Sequence, residues 1–116
     1  MIAALAVAAG AAVGAPLRFW MSHLARERGR PPTHATLLVN VLGSFVLGWL
    51  VGAGVTGSAL ALLGVGFCGA LTTFSTLALE IWEALAEDRR GEAVATVALS
   101  LTLGLAAAYA GLVLGS

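Results

Sequence analysis

Lysine is absent from this chain, and no charged residue occurs from Pro31 through Leu79. Charged residues make up 10% of the 116 and hydrophobic ones 59%, against roughly 25% charged in a soluble domain. A soluble protein this small needs a large polar surface, and these residues do not supply one, so most of the surface must meet lipid. Net charge is zero, which leaves no basic footprint for nucleic acid. The single cysteine, Cys68, has no partner in the chain. It says nothing of redox compartment and reads as a small packing residue. The N-terminus is apolar without a basic stretch, which argues against a cleaved signal peptide. There is no nucleophile–base pair and no catalytic metal cluster, so an enzyme is not expected.

Four apolar stretches are present, each near the ~20 residues that cross a bilayer as a helix. They run from about Ile2 to Met21, Ala35 to Gly54, Ala59 to Glu83 and Ala93 to Leu114. The uncharged run is too long for one span and divides at GAGVTGS (52–58), whose glycines favour a turn. RERGRPPTH (26–34) and EDRRGE (87–92) read as polar connectors. Continuous rather than alternating apolar runs exclude a barrel. The expectation is an all-α integral membrane protein, one four-helix transmembrane domain over 1–116. Small residues repeat at four-residue spacing in Gly10/Gly14, Gly48/Gly52 and Gly111/Gly115, which permits close helix approach. So thin a bundle is expected to assemble with another copy or a partner.

All six arginines, Arg18, Arg26, Arg28, Arg30, Arg89 and Arg90, fall on the side of the two connectors. The side holding both termini and the 52–58 turn has none. Basic residues near span ends favour the cytoplasm. The connectors with Arg26–Arg30 and Arg89–Arg90 are therefore predicted to be cytoplasmic, with the chain in the cell (inner) membrane.

Several polar residues interrupt the apolar spans. GVGFCG (64–69) matches G-x-G-x-x-G, but a nucleotide loop needs a βαβ setting, so these glycines serve packing or a helix break. His23 and His34 have no co-ligand nearby and read as solvated loop histidines. Asn40, inside TLLVNVLGSF (36–45), must find partners, because an unpaired amide in hydrocarbon costs several kcal/mol, on the order of 2–7. It is either interhelical glue or a pore-lining donor. LTTFSTLALE (71–80) gathers Thr72, Thr73, Ser75 and Thr76 around Phe74, just after Gly69. Hydroxyls can simply bond the preceding turn of an intact helix. Clustered here, they point instead to an unwound segment whose freed carbonyls are hard ligands for a cation. Phe74 is packing mass or a ring edge whose partial positive charge faces an anion. Glu80 either snorkels to the interface or faces a vestibule. Thr96 and Ser100 share a helix face, as a polar track for an ion or as helix–helix hydrogen bonding.

GAAVGAPLRFW (10–20), TLLVNVLGSFVLG (36–48) and GFCGALTTFSTLALE (66–80) together resemble the Fluc family of fluoride channels, also called CrcB, over nearly the whole chain. The resemblance carries Arg18 in the first pattern, Asn40 in the second and Glu80 at the end of the third. It implies an antiparallel dimer of four-helix subunits with a broken third helix. It implies a structural, non-transported sodium ion at the dimer centre, held by carbonyls of Gly69 and Thr72. It implies pores lined by Asn40, Phe74 and, on the third and fourth helices, Thr76, Thr96 and Ser100, through which cytoplasmic fluoride leaks out. Two features depart from the family pattern. The family usually reads T-T-F-S-T-F, and the second phenylalanine is Leu77 here. The one-sided arginines also differ from a chain that inserts both ways. Together they raise a heterodimer with an oppositely biased homologue beside the homodimer. The rival readings are a small four-helix drug or cation exporter, which needs an interior carboxylate, and a non-conducting assembly subunit of a heterodimeric channel.

Overall fold

A computed structural model describes residues 1–116. Helix α1 (Ile2–Glu27) and helix α2 (Pro32–Gly52) form the first two spans. The third span, Gly57–Ala86, is composite. It comprises α3 (Gly57–Leu60), a π-helix (Ala61–Cys68), α4 (Gly69–Leu71) and, after a break, α5 (Phe74–Ala86). Helix α6 (Arg90–Gly115) is the fourth. The connections are short, so consecutive spans run antiparallel.

All four expected spans are present, and each reaches further toward the connector side than the apolar pattern implied. α1 continues past Met21 to Glu27, and α6 begins at Arg90. His23 and His34 are therefore not loop residues: His34 lies in the first turn of α2, and His23 lies on α1, with Nε2 3.0 Å from Glu27 Oε1 one turn on. A helix once started adds residues cheaply, and MSHLARE contains nothing that stops it. Gly29 does, at φ 68°, where the Arg30 N–H turns back onto the Ala25 carbonyl at 2.9 Å. Gly54 ends α2 the same way at φ 77°, with the Val55 N–H on the Leu50 carbonyl at 3.0 Å. Both are left-handed caps that favour glycine. Pro32 opens α2, where its missing N–H costs nothing.

Helix α2 packs most extensively on α6, and α1 on the π-helix. The glycine stripes make this possible. A Cβ on Gly48 or Gly52 would run into the carbonyls of Ala108 and Leu112, and one on Gly111 or Gly115 into those of Phe45 and Trp49. Gly10 and Gly14 meet the carbonyls of Leu62 and Phe67 in the same manner. The four-residue spacing thus serves helix contacts inside one chain. Only 16 of 116 residues are buried, so the lateral faces are left for lipid or another chain. The longest dimension is 46 Å, close to the ~40–45 Å of a bilayer with its headgroups. Trp20 and Trp82 are exposed near the connector end, and Trp49 and Tyr109 near the other, as interfacial aromatic belts require.

Candidate functional site

The break in the third span falls at Thr72 and Thr73, whose backbones are extended (φ −79°, ψ 158° and φ −148°, ψ 122°). The break therefore falls inside the hydroxyl cluster, where an unwound segment is expected, while Gly69 just before it is still helical, at φ −62° and ψ −38°. The hydroxyls explain the position. Thr72 directs both its N–H (3.0 Å) and its Oγ1 (2.9 Å) to the Cys68 carbonyl, closing the last helical turn. Thr73 then caps α5: its Oγ1 accepts the Thr76 N–H at 3.2 Å and donates to Thr76 Oγ1 at 3.1 Å, with Ser75 Oγ 3.4 Å away. Such a cap satisfies a donor that the start of a helix leaves free.

Asn40 supplies the bonds that the broken ladder lost. Its Oδ1 accepts the Thr73 N–H at 2.8 Å, and its Nδ2 donates to the Thr73 carbonyl at 3.2 Å. Because the backbone N–H can only donate, these partners fix the amide orientation. The Thr73 N–H would otherwise reach the Gly69 carbonyl four residues back, so that carbonyl loses its helical donor. On the other side of the break, Arg18 Nη1 donates to the Thr72 carbonyl at 3.3 Å.

Three cavities meet around this break. The largest, an open groove of about 480 Å³, is lined by Asn40, Gly69, Thr72, Phe74 and Leu77 among others. A second, of about 200 Å³, holds Leu77 with Thr96, Ser100 and His34. A third, of about 230 Å³, holds Arg18 and Thr76 with Ser22, Arg26 and Thr36. Leu77 is common to the first two and Thr73 to the first and third. One chain therefore does not bring all the expected pathway residues into a single cavity. It places them in three, with Leu77 and Thr73 at the boundaries.

The electrostatics differ from cavity to cavity. Arg18 and Arg26 form no ion pair with any carboxylate of the chain, whereas Arg89 pairs with Glu87 and Glu92, and Arg90 with Asp88. Glu92 first and Glu87 second raise the Arg89 guanidinium above its ordinary value. The Arg18 cavity is thus the one with uncompensated positive charge. On α6, Thr96 Oγ1 donates to the Glu92 carbonyl at 2.9 Å, while the buried Ser100 Oγ has no partner. Phe74 is 82% exposed, its ring projecting out of the chain beside the groove. No set of three His, Cys, Asp or Glu residues is placed to hold a metal.

Glu80 lines none of the three main cavities and accepts from Thr36 Oγ1 at 2.9 Å through Oε2, while Oε1 is buried and unpartnered. Thr36 and the hub role of Thr73 were missed in the sequence. The signal was present as spacing: Thr36 and Asn40 are four apart, as are Thr76 and Glu80. What was missing was which helix each pair faces.

The family model described as CrcB-like protein, Camphor Resistance (CrcB), matches residues 5–112. The chain is 40% identical over 111 residues, covering 96% of both chains, to the "Fluoride-specific ion channel FluC 1" of Geobacillus kaustophilus (strain HTA426). It is 42% identical to the "Fluoride-specific ion channel FluC 2" of Bacillus thuringiensis subsp. konkukian (strain 97-27), over 99% of this chain and 98% of that one. Against the "Fluoride-specific ion channel FluC 2" of Rhodococcus jostii (strain RHA1), identity is 44%, over 92% and 93% of the two chains.

Proposed function

The chain belongs to the CrcB-like family, and from that premise we propose that it is a subunit of a fluoride-selective ion channel rather than an enzyme or an exporter. The observation that carries the reading is the Asn40–Thr73 bracket, which holds a helix break open beside a groove lined by Asn40 and Phe74. Non-helical backbone at membrane depth is tolerated only where protein buries it or a cavity adjoins it. A small anion needs replacements for its water without a tight trap, and an aromatic ring edge meets that need. Ser100, with a free buried hydroxyl, is the donor on α6. Thr96 has already given its proton to a carbonyl and is the weaker member of that track. The positive Arg18 cavity raises the local concentration of anions at one mouth. Fluoride then leaves passively, down the gradient that builds when HF enters from an acidic medium and ionises in the less acidic cytoplasm.

One chain is half of this device. Phe74 projects outward, and Gly69 has open space where a side chain would go: a Cβ there would meet only the Gly64 carbonyl, at 3.9 Å. The other glycines of the third span's core are pressed against their own chain, so the missing side chain at Gly69 answers to something outside it. A second, antiparallel subunit fits. The family's structural sodium would be held by the Gly69 and Thr72 carbonyls. The Gly69 oxygen fits this role, having lost its helical donor. The Thr72 oxygen keeps one lone pair beside its bond from Arg18. Two carbonyls fall short of the oxygen shell a hard cation takes, which again calls for two chains. When bound, the ion would offset the repulsion between the facing carbonyl dipoles and would stay in place as a structural element.

Leu77 and the one-sided arginines favour a heterodimer, in which a homologue inserted the other way supplies the missing ring. The exporter reading loses ground because Glu80 bonds Thr36, in the second turn of α2, near the connector end rather than at the membrane centre. Fluoride efflux from liposomes holding this chain alone, in sodium, tests the function. Selective efflux supports a homodimeric channel. Absence of flux both alone and with a co-expressed homologue sinks the channel reading. Mapping tagged termini in cells tests the predicted cytoplasmic connectors, and an even split between sides would overturn them.

A further inference from the structure

A groove of about 290 Å³ lies where the end of α1 meets the start of α2. Its apolar part is Met21, Leu24, Ala25, Ala35 and Leu38, and its polar part is Arg28, Arg30 and His34. We propose that this groove binds one anionic phospholipid, its phosphate held by Arg28 and Arg30 with His34 at the rim, and its acyl chain laid along Leu24 and Leu38.

The first support is uncompensated charge. The second connector neutralises itself, with Arg89 and Arg90 engaging Glu87, Asp88 and Glu92. The first does not. Its only acid, Glu27, faces His23, and neither Arg28 nor Arg30 pairs with any carboxylate. Two guanidiniums left free in one groove seek an external anion, and phosphate matches their planar donor fork.

The second support is order. Gly29 sits at φ 68°, and the Arg30 N–H bonds back to Ala25 at 2.9 Å. Arg28 and Arg30 therefore flank a closed turn rather than a loose loop, so less freedom is lost on binding.

The third support is shape. Inorganic phosphate would use only the rim. The wall continues one turn down α2 from His34 to Leu38, which is 49% exposed, and an apolar chain extends the contact there. The site lies at the connector ends of α1 and α2, with Arg28 about two turns beyond the exposed Trp20, on the headgroup side of that aromatic anchor. It is also distinct from the groove at the break. Leu38 and Asn40 differ by about 200° around α2, so the two grooves occupy opposite faces, and the rim residue His34 is the one the lipid groove shares with the Ser100 cavity.

The test is native mass spectrometry of the full chain in neutral detergent, titrated with phosphatidylglycerol or phosphatidylcholine. One phosphatidylglycerol per chain is expected, with phosphatidylcholine displaced from the site. Arg28→Gln with Arg30→Gln should weaken phosphatidylglycerol binding about 30-fold, while Arg89→Gln with Arg90→Gln should leave it unchanged. Raising salt about tenfold should weaken the wild type, a readout that needs no variant to fold. Equal binding of phosphatidylcholine, unchanged binding in the Arg28/Arg30 variant, or full competition by inorganic phosphate at equal concentration would overturn the proposal. The last outcome would make this a simple anion site.

Discussion

Asn40 grips the peptide of Thr73 from both ends, accepting its N–H at 2.8 Å and donating to its carbonyl at 3.2 Å. A side chain on α2 thereby replaces the ladder that the third span has given up. Asn40→Leu leaves both backbone groups unpaired in an apolar setting, and a cost on the order of 3 kcal/mol follows from roughly 1–3 per orphaned group. Asn40→Asp keeps the acceptor but turns a carboxyl oxygen on the Thr73 carbonyl and carries a charge into an apolar setting, so it should not rescue the bracket. Thermal midpoints in detergent check that both variants melt below wild type. A Leu variant as stable as wild type would mean that the break supports itself.

Glycines that look alike in the sequence should respond differently. Gly48→Val drives a side chain into the Ala108 backbone, and backbone has no flexible end to yield, so folded protein should be lost. Gly69→Ala meets nothing closer than 3.9 Å within the chain and should leave the monomer folded. If Gly69 faces a partner and a sodium ion, this mild change should still reduce dimer content and its dependence on sodium. Size-exclusion profiles in sodium and in a large organic cation separate the two effects.

Leu77 stands between the groove at Asn40 and the cavity at Ser100. Leu77→Phe restores a polarised ring edge at this boundary. In liposomes the variant should pass fluoride faster than wild type if the missing ring limits a homodimer. Equal rates would remove Leu77 as a reason for a second, different subunit.

Ser100 and Thr96 differ in what their hydroxyls are already doing. Thr96 donates to Glu92 at 2.9 Å, and Ser100 has no partner. Ser100→Ala removes an unsatisfied buried group and should leave stability unchanged or slightly raised, yet lower fluoride flux. Thr96→Val should affect flux less. Melting curves paired with efflux rates reveal whether stability and transport separate at Ser100 as expected.

Composition and apolar run length alone settle that this chain is a membrane protein with four helical spans, because the hydrocarbon thickness sets a length that no soluble fold requires. Local chemistry also marks where the third span weakens: four hydroxyls and a glycine within eight residues leave few alternatives. Local pattern does not say which of two adjacent turns opens. That was decided at Thr72–Thr73 rather than at Gly69, because Asn40 arrives from another helix, 33 residues away, to take the Thr73 N–H. The same limit hid Thr36 as the partner of Glu80. The spacing of each pair was legible, but a side chain's partner depends on how two helices rotate against each other. The glycines of Gly48/Gly52 and Gly111/Gly115 set that rotation by letting α2 and α6 touch backbone to backbone. Sequence determines what each helix offers, and only packed helices decide what each offer meets.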